Sequence, residues 1–145
     1  MASSDHLAAL KGSDWNAWRD ENPSITPDLT DVALVGVDLS GKNLSGADLS
    51  RTKLDGSKLD GASLVRAHLQ GTSLRGTSLL RADLSDTDLE YQTLDQAQLV
   101  GARLRGVNLK NASVREADLT ACDLSGAKLE GTTFGGSVFS FARLV

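Results

Sequence analysis

The sequence predicts an all-β solenoid, a quadrilateral parallel β-helix of nearly six coils with an N-terminal α-helical cap. Three observations predict it. From Leu34 to Leu144 a large apolar residue occupies every fifth position, 23 times in succession: 20 Leu, Val114, Phe134 and Phe139. A small side chain stands two residues before nearly all of them, with Lys42 and Gln92 as the exceptions. Gly and Ser recur in the two positions that follow, as is typical of turns.

A five-residue spacing excludes both a continuous helix and a straight strand as the repeating unit. In a helix, positions five apart are rotated by about 140° and leave the shared face. In a strand, an odd spacing sends alternate apolar residues to opposite surfaces. The chain must therefore turn once per repeat, with three extended residues followed by a two-residue corner. If each corner is a right angle, four repeats close a square coil, and coils about 4.8 Å apart form a rod roughly 27 Å long.

The residues before the repeats predict a helical cap, which divides the chain into a cap at 1–31 and a β-helix at 32–145. A solenoid exposes its apolar bore at each end and needs a cover there. One short helix is expected at residues 5–10, and Ser13 or Asp14 can cap a second one. The side chains expected to cover the first coil are Leu7, Leu10, Trp15 and Trp18.

The repeated segments "SGADLS", "VRAHLQ", "LRADLS" and "READLT" resemble the A-(D/N)-L-x-x motif of pentapeptide-repeat proteins. This resemblance covers residues 32–145 and implies that the coil is right-handed. The leader "WNAWRDENP" is similar to the N-terminal cap of cyanobacterial members. The resemblance also implies two alternative functions, a DNA-mimicking protein that binds DNA gyrase and a cyanobacterial regulatory protein.

The charge pattern argues against nucleic acid as a partner and against DNA mimicry. The net charge of −4 lies in the first 31 residues, and the remainder balances 13 acids against 13 bases. A 20-residue coil stacks opposite charges in three outward columns, namely Asp55, Arg75, Asp95 and Arg115; Asp83, Arg103, Asp123 and Arg143; and Glu90, Lys110 and Glu130. Nucleic-acid binding requires clustered cations, and mimicry of DNA requires a sustained acidic surface. We therefore interpret the columns as structural.

No motif in the sequence points to catalysis, a cofactor or a metal site. His6 and His68 are interpreted as surface residues, because no spaced Cys, His or carboxylate ligands accompany them. The glycines mark corners and match no phosphate-binding loop. Cys122 falls in an inward position and is interpreted as a buried packing thiol. Since the sequence contains neither a signal peptide nor an apolar run of about 18 residues, we expect a cytoplasmic protein with no membrane partner.

These observations predict a noncatalytic, rigid module for protein interaction or structure, whose protein partner is unidentified. Leu80 and Val100 are possible contact residues, because they are 20 apart and should stack as exposed apolar side chains. Tyr91, on the diagonally opposite corner, is a third. The C-terminal end carries three aromatic rings, Phe134, Phe139 and Phe141. Two alternatives remain open there, since the rings either plug the last coil of a monomer or form the contact of an end-to-end homodimer.

Gln92 presents a burial problem beside the corner at Tyr91. It takes an inward position between Thr72 of the preceding coil and Ala112 of the next. A buried amide without a partner costs about 1 to 3 kcal/mol. Gln92 must therefore either bond a neighbour, with Thr72 as the nearest candidate, or distort the corner to reach solvent.

Overall fold

The computed structural model describes residues 2–12 and 14–145. Two helices come first, α1 at Ser4–Lys11 and α2 at Trp15–Glu21. The hydroxyl of Ser3 caps α1 by accepting a hydrogen bond from the backbone N–H of His6. Of the two expected caps of α2, Asp14 directly precedes the helix, and Ser13 lies outside the described residues. Within these ranges, no helix is long and apolar enough to span a membrane.

After the helices, the chain coils with a period of 20 residues. The described residues form 20 parallel β-bridges, and each joins two residues that are 20 apart, from Asp28 with Asp48 to Asp123 with Arg143. The quadrilateral parallel β-helix predicted from the spacing is confirmed. Pairing begins at Asp28, so residues 28–31, which the sequence assigned to the cap, already belong to the first coil. The division into cap and β-helix otherwise stays a prediction.

Each corner of the coil is a turn with positive φ at its third residue. In the corner after Leu34, the N–H of Val37 donates to the carbonyl of Leu34 at 3.2 Å, and Gly36 has a φ of 67°. These are the features of a type II turn. The equivalent residue has positive φ in all 23 corners from Asp31 to Phe141, in twelve glycines and eleven other residues. Glycine is frequent there because it has no Cβ to clash in the left-handed region.

The outward Asp of the repeat stabilises the corner that follows it. One carboxylate oxygen of Asp38, Asp118 and Asp123 accepts a hydrogen bond from the backbone N–H two residues later, at 2.9, 3.0 and 3.0 Å respectively. The hydroxyl and then the backbone N–H of that Ser or Thr hold the pKa of each carboxyl below its ordinary value of 3.8. The Asp of the repeat therefore acts as a local cap for the turn.

Apolar side chains fill the bore of the coil. Every fifth residue from Leu29 to Leu124 is at most 1% exposed. Hydroxyl groups on the crowded inner wall are paired: Thr52, Thr72 and Thr77 donate to the carbonyl of a Leu 23 residues earlier, at 2.6, 2.7 and 2.9 Å. Because the hydroxyl groups of the inner wall are hydrogen-bonded within the chain, the side chains available to other molecules lie on the outward walls, the corners and the ends.

Candidate functional site

The N-terminal helices cover the first coil with apolar side chains. Trp15 and Leu10 are buried in the core, and Leu7 and Trp18 pack partly buried against it. The indole N–H of Trp15 donates to the carbonyl of Asn43 at 2.8 Å, and its ring stacks on Trp18 with centroids 5.2 Å apart. These four residues are therefore engaged inside the molecule.

The same helices supply hydrogen-bond partners to the edge of the first coil. Asn16 accepts from the N–H of Asn43 at 2.8 Å and donates to the carbonyl of Gly41 at 3.0 Å. The Nδ1 atom of His6 accepts from the N–H of Asp28 at 2.9 Å. The interpretation of His6 as a surface residue is therefore wrong, because it is half-buried and packs on a Trp ring of α2.

Lys42, the cation in an inward position of the first coil, also meets the cap. Its side chain is partly exposed, and its Nζ donates to the carbonyl of Gly12, at the C-terminal end of α1, at 3.3 Å. The last carbonyls of a helix favour a cation. Lys42 therefore joins the first coil to the end of α1, and its ammonium group has a hydrogen-bond partner within the chain.

The C-terminal coil leaves the end of the bore exposed. The four inward apolar residues of this coil are partly or fully accessible: Leu129, Phe134, Phe139 and Leu144. Leu144 is 58% exposed, and the outward ring of Phe141 is 92% exposed. Phe134 and Phe139 meet edge to face with centroids 5.0 Å apart, so two of the three predicted rings occupy the mouth of the bore together.

Charged side chains pair along the outward columns. Each column predicted from the 20-residue period contains one ion pair, Arg75 with Asp95 at 3.6 Å, Arg103 with Asp83 at 3.7 Å, and Lys110 with Glu130 at 3.5 Å. Arg51 also forms a two-pronged pair with Asp31, with both distances 2.7 Å. The arginines and lysines in these pairs are substantially exposed, so each pair contributes little to stability and mainly neutralises the wall.

The corner at Tyr91 keeps its regular geometry. The backbone N–H of Gln92 donates to the carbonyl of Leu89 at 3.1 Å, and Tyr91 has a φ of 61°. The side-chain amide of Gln92 donates to the carbonyl of Glu90 at 3.0 Å. The expected partner Thr72 is not used, because its hydroxyl already donates to Leu49. Tyr91 is 72% exposed.

Leu80 and Val100 lie on another corner, in successive coils, and both are partly exposed. They line a groove of about 470 Å³ together with Asp60, Gly61 and Arg81. Sequence reasoning missed Arg81, although the 20-residue grid places it directly beside Leu80. The exposed Tyr91 does not line this groove, so the three possible contact residues form two separate surfaces.

Reactive and metal-binding chemistry is sparse on these surfaces. Within residues 2–12 and 14–145, no group of three or more His, Cys, Asp or Glu side chains is arranged to hold a metal ion. His68 is exposed on an outward wall. Cys122 is 1% exposed, and burial raises the pKa of its thiol to about 11. A thiol with such a pKa stays protonated and is a poor nucleophile at neutral pH.

Comparison with known families agrees with this geometry. A model of pentapeptide repeats matches in eight copies, within residues 28–64, 62–95, 82–120, 97–136 and 117–145. The chain belongs to the pentapeptide-repeat family. As a pentapeptide-repeat protein it forms a right-handed quadrilateral β-helix, so the handedness implied by the resemblance is confirmed.

Solved structures of other pentapeptide-repeat proteins are similar to it. Rfr23 from the cyanobacterium Cyanothece 51142 is 26% identical with a TM-score of 0.58, over 88% of this chain and 96% of that one. The protein alr5209 from Nostoc Pcc 7120 is 31% identical with a TM-score of 0.57, over 72% and 98%. QnrB1, a plasmid-mediated fluoroquinolone resistance protein, is 19% identical with a TM-score of 0.40, over 74% and 77%. No match is found among curated proteins.

Proposed function

We propose that this pentapeptide-repeat protein is a noncatalytic, rigid protein-interaction module of the cytoplasm. The observation that carries the proposal is the apolar surface at the C-terminal coil, where Phe141 and Leu144 are exposed beside the half-buried rings of Phe134 and Phe139. Clustered exposed apolar surface favours protein contact. The outward walls support a noncatalytic role, because their side chains stand on flat surfaces where a nucleophile, base and oxyanion donor do not converge.

A second copy of the chain is the partner that we propose for this coil. An end-to-end homodimer would place the same apolar surface on both sides of a two-fold axis, which is self-complementary. Light scattering after size-exclusion chromatography tests this contact. We expect a dimer whose population falls on dilution and is lost in Phe141→Ser, a change at a fully outward ring. A monomer at every concentration would remove the homodimer and leave the monomeric alternative.

Capture of partners from lysate tests the interaction module itself. The native protein is compared with Phe141→Ser and with Tyr91→Ser, which alter surfaces on different parts of the rod. A partner that the native protein retains and one of the two variants loses would support the proposal. Equal capture by all three proteins would contradict it for both surfaces. The cyanobacterial regulatory role implied by the resemblance would require such a partner to be a regulator.

A DNA-mimicking, gyrase-binding function is the alternative that the outward walls favour least. A mimic of DNA needs a continuous acidic wall, whereas cations and carboxylates pair along the columns of this rod. A supercoiling assay with purified gyrase separates the two functions. We expect no inhibition at a stoichiometric ratio, and inhibition there would favour the alternative.

A further inference from the structure

One corner of the rod has fewer charged residues than any of the other three. It contains the turn residues 40–41, 60–61, 80–81, 100–101, 120–121 and 140–141. Over six coils these positions include two charged side chains, Asp60 and Arg81, whereas the other corners have three, five and five. Above Arg81 no charge interrupts this corner. We name as the corner seam the residues Leu80, Arg81, Val100, Gly101, Ala121 and Phe141.

Arg81 is a cation without an ion pair among the described residues. Its two neighbouring carboxylates accept other donors. Asp60 accepts from the hydroxyl of Ser78 and, at 3.1 Å, from the N–H of Leu80, and Asp83 accepts from the N–H of Ser85 at 3.0 Å. Asp83 also lies 3.7 Å from the guanidinium of Arg103. The Arg81 guanidinium therefore remains available to a carboxylate from another molecule.

The shape of the corner seam follows from its glycines. A Cβ on Gly61 would meet nothing within 4 Å, so the coil below Arg81 leaves open space. The Cγ of Arg81 lies 3.4 Å from the place where a Cβ of Gly101 would be, so the missing Cβ leaves room for the stem of the arginine. The arginine thus stands at the lower end of a shallow apolar strip, with partly exposed Leu80 and Val100 on one side and Phe141 at the upper end.

We propose that the corner seam binds an extended peptide segment with an acidic side chain at one end and apolar side chains at the third and fifth positions. Arg81 and Phe141 are three coils apart, which is about 14 Å at a coil spacing of about 4.8 Å. An extended chain advances about 3.3 Å per residue, and alternate side chains face the same surface about 6.7 Å apart. An acid on Arg81 then places the third side chain over Gly101 and Ala121 and the fifth beside Phe141.

The partner class follows from complementarity of charge. The segment carries an acid because the free group of the seam is a guanidinium, which recognises carboxylates in two-pronged geometry. Its other inward side chains are apolar because the turn positions above Arg81 contain no charged residue and include Val100, Ala121 and the exposed Phe141. The inference rests on the proposed function as an interaction module and names the partner for one surface of it.

Titration of the isotope-labelled full chain with the peptide acetyl-Glu-Thr-Leu-Thr-Phe-amide tests the proposal. Because Phe141 also lies in the proposed end-to-end contact, the titration is done at a protein concentration where light scattering shows a monomer. We expect saturable NMR shifts at the seam amides and a dissociation constant of about 10⁻⁴ M. Arg81→Gln should weaken binding about tenfold, as should Gln for Glu in the peptide. Arg66→Gln is the matched control and should leave binding unchanged, because Arg66 lies on another corner. Its φ is 55° against 56° for Arg81, and it follows Val65 as Arg81 follows Leu80. Arg66 is also without an ion pair among the described residues.

Absence of shifts up to millimolar peptide, shifts away from the seam, or equal effects of the two arginine variants would each overturn the proposal. Val100→Ser tests the apolar contacts of the seam separately from the charge. It should weaken peptide binding although Arg81 is intact. Failure of peptide binding at the corner seam is distinguishable from failure of the proposed function. A partner captured from lysate and lost in Phe141→Ser or Tyr91→Ser would leave the interaction module standing without this ligand.

Discussion

Two leucines on one wall of the bore measure how open the C-terminal coil is in solution. Leu84 and Leu144 occupy the same position three coils apart, but Leu84 is completely buried, whereas Leu144 is 58% exposed. Leu84→Ala removes three carbons from a closed, close-packed bore, and such changes cost about 2 to 5 kcal/mol of unfolding free energy. We expect a value of about 3 to 4 kcal/mol, because stacked coils above and below prevent collapse of the cavity.

Leu144→Ala should cost far less in a monomer. About two-fifths of Leu144 is buried. Complete burial of three carbons is worth about 2.4 kcal/mol, at about 0.8 kcal/mol each, so two-fifths of it is about 1 kcal/mol. No closed cavity is left, because the mouth of the bore is accessible. In an end-to-end homodimer the partner covers this leucine, so its truncation weakens association and the cost grows with protein concentration.

Urea unfolding followed by far-ultraviolet circular dichroism at about 1 µM and about 100 µM protein separates these cases by linkage to association. We expect Leu84→Ala to lower the unfolding free energy equally at both concentrations. Leu144→Ala should lower it slightly at the lower concentration and more at the higher one. A loss at about 1 µM as large as that of Leu84→Ala would refute the reasoning, because it would require a closed bore at this end of the monomer.

Four further changes test individual features. Gln92→Thr should be more stable than Gln92→Val by about 1 kcal/mol in urea unfolding, because Thr at this wall position donates to a Leu carbonyl; equal stability would contradict the reasoning. Ala121→Gly should raise stability by about 0.5 kcal/mol by relieving a φ of 56°, whereas Ala33→Gly should lower it, and a shared sign would count against the strain. The pKa of Asp118 is lowered in the folded protein, so its carboxylate contributes stability above the ordinary value of 3.8, and this stability is lost as pH falls through the folded pKa. The melting temperature should therefore fall less steeply below pH 3.8 in Asp118→Asn than in the native protein. Parallel melting profiles would show that the Asp118 carboxylate does not stabilise the fold. Cys122 should resist a thiol reagent at pH 8 in the native protein and react in urea, and rapid native reaction would show that the thiol is accessible.

The regular part of the fold could be predicted from the sequence because its period has one geometric solution. The same period placed Arg75 near Asp95, Arg103 near Asp83 and Lys110 near Glu130, and the structure pairs all three. The period did not predict the ion pair of Arg105 with Asp123, whose charged atoms are 3.9 Å apart. That pair joins two different columns, and the choice between partners above and to the side depends on side-chain rotamers that the spacing does not determine.

The cap could be predicted only as a cover of apolar residues. Its hydrogen bonds to the first coil, through His6 and Asn16, depend on where two short helices rest on the edge. No repeat relates the helices to the coil, so the sequence held no register from which to pair them. The partner of Gln92 was missed for a related reason, since the grid compares positions 20 apart and the amide bonds a carbonyl only two residues away.

The five-residue repeat from which the fold can be predicted specifies the residues that fill the bore, but it does not specify the outward residues that can contact another molecule. Arg66 and Arg81 follow an apolar residue in the same corner position, with nearly equal φ, and the five-residue motif does not distinguish them. Their difference lies along the rod: Val65 has Ser45 and Ser85 as column neighbours, whereas Leu80 has Val100 above it. Functional differences in such a coil are therefore encoded at the 20-residue period, while the five-residue period encodes the bore. Because outward residues add little to the core, a column can change its chemistry without disturbing the coil, and the corner that contains Arg81 has the fewest charged residues of the four.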